Sequence, residues 1–180
     1  LGKVQHHVLF KTHDRFRNGP LPTVEAAAAH LEETVRVLFD ALRRLPGGPP
    51  ALIWDVLAEG VRVRLAAFIR RDIDELRATG RRPSELEGPR SAPHPTAGFR
   101  WNGRLDRVDL HSATGARTVI DYKNRPRRES LSSRILKGRV HQAPAYLDLL
   151  SSTPGGGEAG VRYEYLATNE FEEFTAEEWR

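Results

Sequence analysis

Two short segments near the middle of the chain carry Asp106, Asp121 and Lys123 among apolar residues. Residues 103–110 carry Asp106, and residues 118–123 carry Asp121 and Lys123. Both segments are rich in valine, leucine and isoleucine, a composition that predicts β-strands. Mg²⁺ is commonly held by one or two carboxylates, and an amine beside them can act on water or on a phosphate. These residue types therefore indicate metal-dependent chemistry on a phosphate group.

The residues between the two segments predict a hairpin that brings the three side chains together. Residues 111–116 are turn material, and a hairpin centred near residues 113 and 114 places Asp106 directly opposite Asp121. Lys123 is two residues beyond Asp121, so it points to the same face. Because opposed carboxylates repel each other, a divalent cation between them would remove the conflict. The alternative is an exposed hairpin face with scattered charges.

The spacing of these residues is similar to that of a known nuclease core. Asp106, followed by Asp121-Tyr122-Lys123, resembles the D…(D/E)xK pattern of the PD-(D/E)XK nuclease superfamily. The surrounding residues, Gly-Arg-Leu-Asp-Arg-Val-Asp and Val-Ile-Asp-Tyr-Lys, resemble the RecB/AddB-type branch in particular.

Two further motifs of that branch have counterparts outside the hairpin. The segment from Gln142 to Tyr146 resembles the Q-x-x-x-Y motif on the helix that follows the lysine strand. The segment from Gly2 to His6 resembles the G-x-x-x-H at the start of the first helix, where the histidine is a metal ligand. Without this register, His7 and His13 would be equal candidates by residue type. The four motifs occur in the family's order over residues 2–146.

The resemblance implies a role for each matched residue. A Mg²⁺ or Mn²⁺ ion would be held by His6, Asp106, Asp121 and the backbone carbonyl of Tyr122. Lys123 would activate water or stabilise the transition state. Gln142 and Tyr146 would position the DNA strand at the catalytic residues. Glu85 or Glu87, on a predicted strand just upstream, could support the metal site. The alternative is that this strand is a solvent-facing edge strand whose glutamates have no role at the site.

The implied activity is that of a Mg²⁺-dependent deoxyribonuclease in DNA-end processing or recombinational repair, often fused to or paired with a helicase. One alternative is a catalytically inactive DNA-binding or scaffold domain of the same fold. A second is a metal-dependent hydrolase with a substrate other than nucleic acid. Several members of the branch carry a four-cysteine iron–sulfur cluster, and this chain departs from them because it has no cysteine.

The densest basic stretch of the chain follows Lys123. The formal net charge is +4, and arginine forks suit phosphate recognition. Such residues either contact the DNA backbone or form an exposed basic loop. The candidates for DNA contact are Arg125, Arg127, Arg128, Arg134, Lys137 and Arg139.

Periodic apolar residues predict helices before the hairpin and strands around it. The predicted helices are 3–17, 23–45 and 51–79, with Thr23 as an N-cap, and a later helix from about residue 135 or 139 to 150. Pro144 within that helix implies either a kink or a start near Gln142. The predicted strands besides the hairpin are 84–88, 99–101 and a last strand over 161–166, with a turn at Asn102-Gly103. Residues 90–97 predict a loop. The acidic tail over 169–180 is either a linker or a helix capped at Thr175.

We therefore expect an α/β (or α+β) fold, a restriction-endonuclease-like mixed central β-sheet flanked by helices, with a helical insert over 21–79. The expected organisation is a single nuclease domain over 1–180, with a helical part over 1–80 and a sheet core over 84–167. Since the chain has no methionine, we expect it to come from a larger protein. No apolar run is long enough to cross a membrane, and the lack of cysteine is compatible with a cytoplasmic location.

Overall fold

The structure is a computed structural model that describes residues 1–17, 19–94, 98–138, 141–151 and 158–179. It divides into two compact units, residues 1–78 and 79–180. The organisation as one nuclease domain stays a prediction.

The first unit consists of the three predicted helices. They are α1 (Gly2–Asp14), α2 (Val24–Arg43) and α3 (Ala51–Thr79). The predicted cap is confirmed, because the Thr23 hydroxyl accepts a hydrogen bond from the Ala26 N–H at 3.1 Å. The apolar stripe of α2, with Leu31, Val35 and Phe39, is buried as its period predicts. Among the described residues, no helix combines the length and the apolar character that a bilayer crossing requires.

The second unit is built on a five-stranded mixed sheet, as predicted. Its strands are β1 (Arg81–Pro93), β2 (Arg100–His111), β3 (Arg117–Lys123), β4 (Ala159–Tyr165) and β5 (Glu170–Thr175), in the spatial order β1-β2-β3-β4-β5. β3 and β4 are parallel, whereas the other neighbours are antiparallel. The helices of this unit are α4 (Leu131–Leu136), α5 (Gln142–Ser151) and α6 (Ala176–Trp179). α4 and α5 lie in the connection between the two parallel strands, which needs a long crossover.

The first hairpin of the sheet is longer than the sequence predicts. β1 extends to Pro93, so the predicted loop over 90–97 is wrong for its first four residues. The predicted turn at Asn102-Gly103 is also wrong, because both residues pair with β1 within one continuous strand. Pairing with a long neighbouring strand overrides the local turn preference. Prolines are tolerated in β1 because it is an edge strand.

The tail contains a strand that the sequence analysis missed. β5 pairs with β4, so the strand predicted over 161–166 is not the last one. The glutamates that suggested a linker suit an edge strand, because charged side chains discourage pairing with other chains. The predicted helix capped at Thr175 is confirmed. The Thr175 hydroxyl accepts from the Glu178 N–H at 3.3 Å, and the Glu178 carboxylate accepts from the Thr175 N–H at 2.8 Å.

The two faces of the sheet differ in chemistry. One face buries Val108, Val119 and Val161 in an apolar core with residues of α4 and α5. Alternation along the strands turns the neighbouring side chains to the opposite face, which buries charged groups. There the Arg107 Nε donates to Asp109 at 2.6 Å, and the Arg162 Nε donates to Glu164 at 2.6 Å. The pairing compensates charges that are almost completely buried.

We expect Asp109→Ala to destabilise the protein strongly. Arg107 and Asp109 are 1% and 2% exposed, so removing the carboxylate leaves a buried guanidinium without its main counter-charge. The free energy of unfolding, measured by urea denaturation, should fall by roughly 3–5 kcal/mol. As a control, Arg100→Ala at an exposed position should change it by less than about 0.5 kcal/mol. A loss below about 1 kcal/mol for Asp109→Ala would contradict this account of the pair.

Candidate metal and catalytic site

The predicted register of the central hairpin is confirmed. The β2–β3 ladder pairs Arg107 with Ile120, and one step further along the same register Asp106 lies opposite Asp121. Asp121 is buried, at 6% exposure, and Asp106 is half-buried. The two carboxylates are therefore brought together by strand pairing, as the turn composition predicts.

A third carboxylate extends the pair into a row. The β1–β2 ladder pairs Leu86 with Arg107, so the next residue, Glu87, lies opposite Asp106. Carboxylate oxygens of Glu87 and Asp106 lie within 4.8 Å of each other. Glu87, Asp106 and Asp121, which we call the carboxylate row, thus cross three adjacent strands at one level. Oxygen ligands at this spacing fit the preference of Mg²⁺ and Mn²⁺ for hard donors.

A bulge in β1 decides which residue joins the row. The register shifts by one residue between Pro83 and Glu85, where the Ser84 hydroxyl donates to the Val108 carbonyl at 3.0 Å. Without this shift Leu86 would lie opposite Asp106, and no third carboxylate would be present. Sequence reasoning left Glu85 and Glu87 as equal candidates. In the structure the Glu85 carboxylate is paired with Arg90 instead.

Glu87 has an unusual backbone conformation within its strand. Its φ is +51°, in the left-handed region that non-glycine residues rarely adopt. Arg104 holds the residue from the neighbouring strand, because its Nε lies 2.7 Å from the carboxylate and donates to the Glu87 carbonyl at 2.9 Å. Strained conformations of this kind cluster at binding and catalytic sites.

Lys123 lies beside the carboxylate row, on the same face as Asp121. Its Nζ forms an ion pair with the Asp121 carboxylate and donates to the Gln142 side-chain oxygen at 3.0 Å. The Nζ also lies 4.6 Å from the centre of the Tyr163 ring. These contacts fix the amine at the end of β3. Lys123 and Gln142, both predicted as catalytic-site residues, are therefore in direct contact.

Helix α5 brings Tyr146 to the same carboxylates. Gln142 and Tyr146 are one turn apart, and Pro144 lies in the first turn because the helix starts at Gln142, one of the two predicted alternatives. Burial, together with the negative charges of Asp121 and Asp106, raises the pKa of the Tyr146 phenol far above its ordinary value. The hydroxyl therefore stays protonated and can act as a hydrogen-bond donor. The Tyr122 N–H donates to Asp106 Oδ2 at 3.1 Å, so the backbone at Tyr122 also borders the row.

The three histidines of α1 have different environments. His13 is fully buried, with Nδ1 at 2.8 Å from the Leu9 carbonyl oxygen and Nε2 at 2.8 Å from Asp72 Oδ2. Both ring nitrogens are thus engaged, so His13 is a structural residue of the first unit. His7 is exposed and His6 is half-buried. The assignment of His6 as a metal ligand stays a prediction.

The six basic residues predicted to contact DNA fall into separate groups. Arg139 lies outside the described residues. Arg127 Nε lies 3.1 Å from Glu172 Oε1, and Lys137 pairs with Glu129. The remaining three line one cavity after β3 and are Arg125, Arg128 and Arg134. Sequence reasoning could not separate these groups, because Glu172, the partner of Arg127, lies far along the chain on β5.

Comparison with known proteins identifies the family of this arrangement. A search of curated proteins found no match. The family model of the PD-(D/E)XK nuclease superfamily matches residues 1–178. A mixed five-stranded sheet with flanking helices is the restriction-endonuclease-like fold that this family implies. The chain therefore belongs to the PD-(D/E)XK nuclease superfamily.

Proposed function

We propose that this protein is a Mg²⁺-dependent deoxyribonuclease that hydrolyses phosphodiester bonds of DNA. The observation that carries the proposal is the carboxylate row with Lys123 at its end. Membership of a nuclease superfamily supports a nucleic acid as the substrate. The basic residues that follow Lys123 supply positive charge for a DNA strand.

The proposed setting is DNA-end processing or recombinational repair, with a helicase domain or subunit as partner. Two short motifs support this finer assignment, the G-x-x-x-H ending at His6 and the Q-x-x-x-Y from Gln142 to Tyr146. Both resemble the RecB/AddB-type branch. A cytoplasmic location is proposed together with this setting, and the lack of cysteine is compatible with it.

The proposed metal ligands are the carboxylates of the row, with His6 and the Tyr122 carbonyl as further ligands. Carboxylate oxygens suit Mg²⁺ and Mn²⁺, and Mn²⁺ also accepts imidazole. The bound ion would supply Lewis-acid polarisation of the phosphate and a lowered pKa of water. The carboxylates lie close together at one point of the sheet. Without a bound cation, their negative charges would repel a DNA phosphate.

Lys123 is the proposed catalytic amine. Asp121 and Gln142 hold its Nζ from two sides, so the amine needs little reorganisation when substrate arrives. From this position it orients the attacking water or donates to a phosphate oxygen on which negative charge develops. Tyr146 offers to the same region a hydroxyl whose pKa burial and the nearby carboxylates raise, so that the protonated, donating form is favoured.

A catalytically inactive DNA-binding or scaffold domain is the rival proposal. It requires no metal affinity, whereas the nuclease requires both metal binding and cleavage. In this chain the acidic and lysine positions of the family pattern are occupied by Asp106, Asp121 and Lys123. That occupancy favours the nuclease.

Cleavage of DNA in Mg²⁺ should depend on Asp121 and Lys123. We expect Asp121→Asn and Lys123→Met each to lower the rate constant by roughly 10²–10³-fold, because each removes a group that acts on the transition state. The measurement is single-turnover cleavage of a labelled oligonucleotide, with circular dichroism as the control for folding. Wild-type rates in either folded variant would overturn the proposal.

Substitutions at neighbouring residues of the same type should have different effects on the affinity for Mn²⁺. We expect Glu87→Gln and His6→Ala to weaken Mn²⁺ binding by at least about tenfold in calorimetric titrations. Glu85→Gln and His7→Ala are the matched controls and should leave the affinity within about twofold. Equal effects within either matched pair would contradict the ligand assignment, and no Mn²⁺ affinity in the wild type would favour the scaffold proposal.

The loss of the Tyr146 hydroxyl should lower activity without changing its pH dependence. The raised pKa keeps the phenol protonated across the working range, so its titration cannot shape the profile. We expect Tyr146→Phe to lower the cleavage rate by about tenfold, as for loss of one hydrogen bond. The factor should be constant between about pH 7 and pH 9. A factor that grows or shrinks across this interval would show that the phenol titrates there.

A further inference from the structure

A basic pocket lies beside the C-terminal end of β3. Its volume is about 280 Å³, and it is lined by Arg125, Pro126, Arg128, Glu129, Arg134 and Tyr165. Arg125 and Arg128 are exposed, and Arg134 is half-buried. Pro126 fixes its own φ and restricts the residue before it, so the backbone that carries Arg125 is stiff.

The acidic member of the pocket is already engaged. Glu129 forms an ion pair with Lys137 and accepts a hydrogen bond from the Ser133 hydroxyl at 2.9 Å. The Tyr165 hydroxyl donates to Glu172 at 2.9 Å. The pocket therefore has an excess of positive charge from its three guanidinium groups. Like charges gathered around one concavity are stabilised by an anion.

The pocket adjoins the proposed catalytic lysine. Tyr165 pairs with Lys123 in the parallel β3–β4 ladder, and the Leu166 N–H donates to the Lys123 carbonyl at 2.9 Å. Neighbouring strands are about 4.8 Å apart, so Tyr165, which lines the pocket, is one strand away from the Lys123 backbone. The positive charges of Arg134 and Arg125 also act on Tyr163, the ring beneath the Lys123 amine, and oppose the rise in its pKa.

We propose that this pocket binds a terminal phosphomonoester of the DNA strand. The inference rests on the proposed function, because it takes DNA as the substrate. A phosphomonoester carries a charge of about −1.5 to −2 and three acceptor oxygens, which matches three guanidinium donors better than the single charge of a phosphodiester. A terminal phosphate can enter a pocket through a single opening. An internal phosphate needs a groove that is open on two sides, because the DNA strand continues beyond it in both directions. The enzyme then acts from a phosphorylated end.

Competition binding in metal-free buffer with EDTA tests this proposal. Unlabelled strands of one sequence, with a 5′-phosphate, a 3′-phosphate or hydroxyls at both ends, compete with a fluorescein-labelled strand. We expect one phosphorylated strand to bind at least about tenfold more tightly than the hydroxyl strand. Which strand does so identifies the end that is recognised.

The variant Arg125→Gln/Arg128→Gln should abolish this preference. Both positions are exposed, so folding should be preserved. Because the two arginines also add positive charge for any DNA strand, the readout is the ratio of the affinities for the phosphorylated and hydroxyl strands, which should fall to about one. Arg100→Gln, which removes an exposed charge from β2, is the matched control and should keep the preference. Equal binding of all three strands by the wild type would overturn the proposal. If the variant binds all three strands more weakly by the same factor, the proposal would also be overturned. That result would show that the two arginines contact internal phosphates of the DNA backbone.

The binding measurement is independent of the nuclease proposal. If the protein prefers a phosphorylated end but does not cleave DNA after Mg²⁺ is added, the result supports the phosphate pocket and contradicts the nuclease proposal. If the protein cleaves DNA but shows no end preference, the result supports the nuclease proposal and contradicts the phosphate pocket.

Discussion

Repulsion among three carboxylates is the constraint on which the second unit depends. Glu87, Asp106 and Asp121 are held side by side because two ladders fix their strands in register. Such a row is unfavourable unless cations and N–H donors compensate it. Arg104 and Lys123 supply positive charge at its two ends, and the Tyr122 N–H reaches its centre. The strand pairing thus holds the three carboxylates together against their mutual repulsion.

The sequence predicts those features that depend on local residue order. The hairpin register follows from the turn residues between two apolar strands, and so Asp106 and Asp121 could be paired in advance. The bounds of α3 follow from the proline and glycine residues before it and Gly80 after it. Pro144 allows either a kink or a helix start near Gln142, and the structure has the start there, which brings Gln142 to Lys123.

The features that escaped prediction depend on distant partners. Asn102-Gly103 has the composition of a turn, but pairing with β1 keeps it extended. β5 is a strand only because β4 provides a neighbour for it. The choice of Glu87 over Glu85 depends on a single-residue bulge, which no periodicity reveals. Arg127 forms an ion pair only because β5 places Glu172 beside it, a contact between residues far apart in the chain.

The backbone of Glu87 links this site to the thermal tolerance of the protein. A left-handed φ costs a residue with a Cβ about 1–2 kcal/mol, and glycine avoids nearly all of it. Engineering for heat resistance alone would therefore choose glycine at this position. The same substitution would delete one acidic group of the row, so robustness and chemistry make opposite demands on a single residue.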